Sequence, residues 1–164
     1  MKIAEINGKL DIVDFNELDA YKIALKIERD GITFYKNLIE KISNPSVKES
    51  LEFLLREENK HLAFFDDRLA DVGQKTDDTF EEDDLLRYMD YGIFDPYKRM
   101  SQMKDLIVDV AKALDLGIII EDRTVKFYEA CKKHVSSTQT KKQLQHIIDE
   151  EKKHKAVLES MVKS

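Results

Sequence analysis

A chain of 164 residues with 42% hydrophobic content can build one sizeable core, and 37% charged residues with five Gly and two Pro is the composition of long helices, not of short strands. The net charge of -6 is spread along the chain with no Lys/Arg stripe and interleaved aromatics, which argues against nucleic acid as a partner. No run of about 18 apolar residues occurs and Met1 to Asp14 has no signal-like apolar stretch, so the expectation is a cytoplasmic protein with no membrane partner.

In the first fifteen residues Asn7-Gly8 sits between Ile3, Ile6, Leu10 and Ile12, a pattern that fits either a hairpin turn or an arm laid on the rest of the chain. From about Leu18 to Ile42 apolar residues recur at helical spacing, through Tyr21, Ala24, Leu25, Ile32, Tyr35 and Ile39, which predicts one long helix capped by Asn16. Ser43-Asn44-Pro45-Ser46 then closes that helix and opens the next, with Asn44 as cap and Pro45 at the first helical position. The second helix runs through Leu51, Leu54, Leu55, Leu62 and Phe65 to about Val72, where Gly73 suits a left-handed terminal residue. An acidic stretch from Asp77 to Asp84 follows within a long crossover, about 73–104, and a short helix around Leu85, Leu86, Tyr88 and Met89 is expected there because roughly 25 structureless residues would be unusual. Periodicity resumes near Leu106, holds to about Lys133, breaks at Ser136-Ser137-Thr138 and continues from Thr140 to Val162.

The prediction is therefore an all-α four-helix bundle in a single domain, 1–164, made of two helical hairpins (about 16–72 and 105–163) joined by the crossover. A long crossover can pass one hairpin to a neighbouring chain, so a homodimer is expected. Cys131 excludes an intramolecular disulfide and, set among Phe127, Tyr128 and Val135, reads as a buried, inert thiol.

The two hairpins are repeats. A shift of 93 places, which sets Ala113 on Ala20, aligns them without a gap to His61 and His154. Ile27/Ile120, Phe34/Phe127, Tyr35/Tyr128 and Leu51/Leu144 match, which follows from any two similar amphipathic hairpins. The polar matches ask for a chemical cause: Glu28/Glu121, then Glu57/Glu150, Glu58/Glu151, Lys60/Lys153 and His61/His154, with Glu-x-x-His starting thirty residues after the first Glu in both copies. Glu28 lies sixteen residues before Asn44 and Glu58 fourteen after it, so both stand about 22 Å from the turn and face each other at one level. The same holds for Glu121 and Glu151 about the second turn, and residues three apart in Glu-x-x-His share a helix face.

All four Glu also lie inside apolar stripes, as Glu28 does among Ala24, Leu25 and Ile32, and Glu151 among Ile147, Ile148 and Leu158. An uncompensated buried carboxylate costs several kcal/mol, a large share of a domain's stability, and no inward Lys or Arg on these stripes offsets it. Two divalent cations would neutralise the four. The predicted metal ligands are Glu28, Glu58, His61, Glu121, Glu151 and His154. Carboxylates with one imidazole per ion suit iron or manganese; affinity order alone would favour zinc, and iron is the reading taken. Glu57 and Glu150 are placed to receive the second ring N–H of the opposite hairpin's His, with an exposed helix face as the alternative. Tyr35 and Tyr128, two turns beyond Glu28 and Glu121, either bond a carboxylate or simply pack. His134 and His146 match Lys41 and Phe53 in the repeat and read as structural or exposed.

With the order Glu, Glu-x-x-His, Glu, Glu-x-x-His in place, the chain resembles the ferritin-like di-iron carboxylate superfamily, and within it a rubrerythrin-type domain. The resemblance covers about Leu18 to Val72 and Leu106 to Val162. It implies Glu28 and Glu121 as terminal ligands, Glu58 and Glu151 as bridges, and His61 and His154 as one imidazole per metal. It further implies a di-iron oxidoreductase that reduces hydrogen peroxide or dioxygen with electrons from an external donor. Rubrerythrins typically end in a rubredoxin module with four Cys, and this chain has Cys131 alone, so the donor would be a separate protein such as a rubredoxin. They also carry an extra carboxylate three residues after the third-helix ligand, where Thr124 stands here. The plainer six-ligand set is similar to that of bacterioferritin, but Asn59 replaces the haem-binding Met, so no haem is expected. A ferroxidase or iron-handling protein, and a non-catalytic helical scaffold, are the alternatives.

Overall fold

The computed structural model describes residues 2–7, 9–71 and 110–163. Its first element is a two-stranded antiparallel sheet, β1 (Lys2–Ile6) and β2 (Lys9–Val13), with Ile6 paired to Lys9 so that two residues turn the chain. Asn7, in that loop, has a φ of 53°, a left-handed conformation that Asn adopts readily and that two-residue hairpin loops require. Both readings of this segment therefore hold, because the hairpin is also laid on the bundle: Ile3, Leu10 and Ile12 are buried in the common core and β2 packs on the third helix.

The four helices are α1 (Glu17–Lys41), α2 (Pro45–Asp71), α3 (Val110–His134) and α4 (Thr138–Val162). Their starts follow local chemistry. Asn16 Oδ1 accepts the Asp19 N–H at 3.1 Å, with Glu17 and Asp19 in the first turn of α1. Asn44 Oδ1 accepts from Ser46 at 3.0 Å, and Pro45 opens α2. Ser137 Oγ accepts from Thr140 at 3.2 Å, which starts α4 at Thr138, two residues before the point where apolar periodicity resumes. Gly73, the segment Leu85 to Met89 and Leu106 lie outside the described residues.

Helix direction can be read from the side chains. Tyr35, two turns after Glu28, bonds Glu121, while Tyr128, two turns after Glu121, bonds Glu28, a crossing that requires α1 and α3 to be antiparallel. On the other pair His61 reaches Glu150 and Glu151 while His154 reaches Glu58, so α2 and α4 are antiparallel as well. Val110 and Leu114 consequently share a cavity with Lys41, Ile42 and Asn44 at the α1–α2 turn, whereas Phe65 near the end of α2 packs against Tyr21 near the start of α1. The chain between α2 and α3 thus joins opposite ends of the bundle. Two antiparallel hairpins linked by such a crossover, around a core that includes Leu38, Leu51, Leu54, Phe127, Leu144, Ile148 and Leu158, make the ferritin-like four-helix architecture. Among the described residues no helix is long and apolar enough to cross a membrane.

Candidate metal centre

The level at which the hairpins were expected to meet is where the polar residues gather. Glu28, Glu58, His61, Glu121, Glu151 and His154 come from four different helices and are all buried, none more than 4% exposed. Each arrives there through the register its turn imposes, with the Glu-x-x-His pairs on the inward face of α2 and α4. Their donor atoms form two groups, Glu28, Glu58, His61 and Glu151, and Glu58, Glu121, Glu151 and His154, in each of which the atoms lie within 4.8 Å of one another. Glu58 and Glu151 belong to both. The two imidazoles stand nearly parallel with ring centres 5.6 Å apart.

Contacts within these groups are close without being hydrogen bonds. His61 Nδ1 is 3.0 Å from Glu151 Oε1, and His154 Nδ1 is 2.8 Å from Glu151 Oε2 and 3.3 Å from Glu58 Oε1. Yet both Nδ1 atoms, both oxygens of Glu151 and Oε2 of Glu28 are buried with no hydrogen-bond partner among the described residues. Buried polar atoms are otherwise almost always satisfied, and a cation bound among these donor atoms would satisfy them. The residues therefore fit a two-metal carboxylate cofactor: two clusters of buried Glu and His are positioned to chelate metal ions.

Electrostatics report the same crowding. Burial and the charges of Glu151, Glu28 and Glu121 hold the Glu58 carboxyl well above the ordinary carboxylate range, and burial with Glu151 does the same to Glu121. Glu151 goes the other way: burial would raise it, but His154 and His61 overcome that and lower it. Burial would likewise lower His61, and the carboxylates of Glu151 and Glu28 instead push it up to about 12.

Around the clusters the two halves begin to differ. The Tyr35 hydroxyl donates to Glu121 and that of Tyr128 to Glu28, each across the hairpin boundary. His61 Nε2 lies 3.1 Å from Glu150 Oε2, as a ligating histidine's second nitrogen should. The matching contact from Glu57 to His154 is not made: Lys60 Nζ holds Glu57 Oε1 at 2.6 Å, and His154 Nε2 has no partner among the described residues. His146 is exposed, as expected, but it also touches Glu150 at 3.3 Å, which its mismatch with Phe53 in the repeat could have flagged. His134 stacks on Phe15 away from the centre. Cys131 is buried and its thiol is pushed up by that burial.

Two cavities adjoin the clusters. A small one of about 10 Å³, room for one water-sized molecule, is lined by Glu58, Glu121 and Glu151 with Gly31, Tyr35 and Thr124. Gly31 keeps it open, since a Cβ there would stand 3.5 Å from the Glu58 carboxyl carbon. A surface cavity of 450 Å³ reaches His61 and Glu150 between Lys60, Lys142 and His146. No protein-family model, no curated protein and no solved structure matches the chain.

Proposed function

We propose that the chain is a non-haem di-iron oxidoreductase of rubrerythrin type, reducing hydrogen peroxide or dioxygen with electrons from a separate donor protein such as a rubredoxin. The observation that carries this reading is the pair of buried Glu/His clusters that share Glu58 and Glu151, in which both His Nδ1 atoms, both Glu151 oxygens and Glu28 Oε2 have no hydrogen-bond partner among the described residues. Two ions would be held by these residues, Glu58 and Glu151 being common to both groups while Glu28 with His61 and Glu121 with His154 would each serve one ion. Iron bound there supplies two electrons, one from each ion, and with two protons these convert one hydrogen peroxide to two waters.

The chain's own residues do the rest. Tyr35 and Tyr128 donate hydrogen bonds to Glu121 and Glu28, fixing the orientation of each terminal carboxylate. The cavity beside Gly31 and Thr124, with room for one water-sized molecule, places a small oxidant or its product next to Glu58, Glu121 and Glu151. The surrounding apolar side chains of Ile27, Phe34 and Ile120 keep bulk water out of it.

The test is rapid mixing of the anaerobically reduced protein, loaded with two Fe(II), against peroxide. Oxidation should be complete with about one equivalent per centre and should then stall until a reduced rubredoxin is added. Iron handling is the second reading, favoured by the surface cavity that gives His61 a route from solvent. It predicts dioxygen-driven oxidation of many Fe(II) per chain, with the product retained. A protein that binds iron stoichiometrically but ignores peroxide overturns the oxidoreductase assignment.

A further inference from the structure

The two clusters repeat the same ligand types, but Glu151 lies 2.8 Å from His154 on its own helix while Glu58 lies 4.0 Å from His61, and the groups behind the two imidazoles differ further. On one side, Glu150 is gripped from within and without: Oε2 faces His61 Nε2 at 3.1 Å and Oε1 faces His146 Nε2 at 3.3 Å. On the other, Glu57 is turned to Lys60 at 2.6 Å and His154 Nε2 is left buried without a partner among the described residues. One sequence difference accompanies this. His146 stands one turn before Glu150, whereas the repeat has Phe53 one turn before Glu57, half-exposed beneath the Arg56 guanidinium at 6.0 Å.

We propose that the two metal positions are inequivalent, the one formed by Glu28, Glu58, His61 and Glu151 filling first and binding more tightly, with Glu150 as its positioning residue. This rests on the two-metal reading of the site. Both Nδ1 atoms face the carboxylates, so a metal-bound imidazole carries its proton on Nε2. For His61 that N–H has a carboxylate acceptor, which fixes the ring before the ion arrives and strengthens Nδ1 as a donor. For His154 the same N–H is buried with no acceptor among the described residues, and a buried unsatisfied donor opposes the bound form. The two ligand sets are alike in residue type, each with a Glu of its own, one His and the shared Glu58 and Glu151, although Glu151 lies closer to His154 (2.8 Å) than Glu58 does to His61 (4.0 Å).

The experiment is titration of the metal-free full-length chain with Co(II), followed by visible absorption and calorimetry. Wild type should take two ions in two steps whose affinities differ by about tenfold or more, the range over which outer partners of metal-bound His act. Glu150→Gln should weaken the tight step by about tenfold and change the spectrum of the first-bound ion, while Glu57→Gln leaves both steps in place. His61→Ala should delete the tight step and His154→Ala the weak one, which tests the assignment even if Glu150→Gln folds poorly. Two Co(II) bound with equal affinity, equal effects of the Glu57 and Glu150 variants, or a tight step that survives His61→Ala overturns the inequivalence alone. Fewer than two Co(II) bound by wild type overturns the two-metal reading, and this proposal with it.

Discussion

The first and second hairpins carry the same three ligand residues on different surroundings, and the comparison separates what the centre demands from what the fold merely permits. Glu28, Glu58 and His61 recur as Glu121, Glu151 and His154, and Tyr35 as Tyr128, each copy meeting the other across the twofold. Where the copies part, the neighbours explain it. Gly117, against Ala24 in the first hairpin, lets α3 approach so closely that a Cβ would stand 3.1 Å from Leu158 and Phe34. Gly31, against Thr124, leaves space beside Glu58, and Phe53, against His146, leaves Glu57 without an outer partner ring. The ligands are identical in the two halves, and the differences that shape their surroundings fall at Gly31, Phe53 and Gly117 against Thr124, His146 and Ala24.

The largest break in that symmetry should come from the shared carboxylates. Glu58→Ala or Glu151→Ala should lose both ions, because each sits in both clusters, whereas Glu28→Ala or Glu121→Ala should lose one. His134→Ala, distant and stacked on Phe15, should keep both. Metal analysis of protein from iron-replete cells reads this out, and a one-ion Glu151→Ala variant would contradict the sharing.

Next in size is the pH response of the metal-free protein. Glu58 and Glu121 are raised in the folded state, so between the ordinary carboxylate value and their folded values the native chain binds protons the unfolded chain does not. Their penalty is relieved as pH falls through that window. His61, raised to about 12, contributes stability that is full below about 6.5 and is lost as pH rises toward 12, which acts in the same direction. Glu151, lowered, opposes only below its ordinary value. Metal-free protein should therefore melt higher at about pH 5.5 than at pH 8, by roughly 2–4 °C for each kcal/mol gained. Metal-loaded protein should show the reverse, since protons compete with the ions. Thermal melts of both forms check it, and a metal-free Tm that only falls on acidification would count against clustered carboxylates.

That the six residues were legible in the sequence has a simple cause: inward Glu and His repeated at one spacing have no packing explanation, so the pattern names its own chemistry. The bundle and its two tight turns were legible for similar local reasons, in Asn16, Asn44 and Pro45. The partners of Tyr35 and Tyr128 were not, because they depend on α1 and α3 running in opposite directions, which periodicity does not encode. Glu57 and Glu150 looked equivalent in the repeat, and only three-dimensional placement turns one to Lys60 and the other to His61. In the N-terminal strands five-residue segments fit a hairpin or an arm equally by sequence, and the molecule uses them as both.

Smaller effects sharpen the comparison of the hairpins as scaffolds. Gly117→Ala gains helix propensity but meets the buried Leu158 and Phe34 side chains, and a net loss of about 1 kcal/mol is expected, seen as a Tm lower by roughly 2–4 °C. Ser137→Ala and Asn44→Ala each remove one cap and should cost about 1 kcal/mol or less, equally in the two hairpins and without loss of metal. Calorimetric melts compare all three directly.

The central claim is that one chain holds one coupled pair of metal ions. Anaerobic Fe(II) titration of the metal-free protein, followed by oxidation and electron paramagnetic resonance, tests it most directly. The two clusters sharing Glu58 and Glu151 predict a break at two Fe(II) per chain and an oxidised form that is silent because the ferric spins couple through the shared site. A break at one, or two ferric ions that give the full signal of isolated centres, would contradict it.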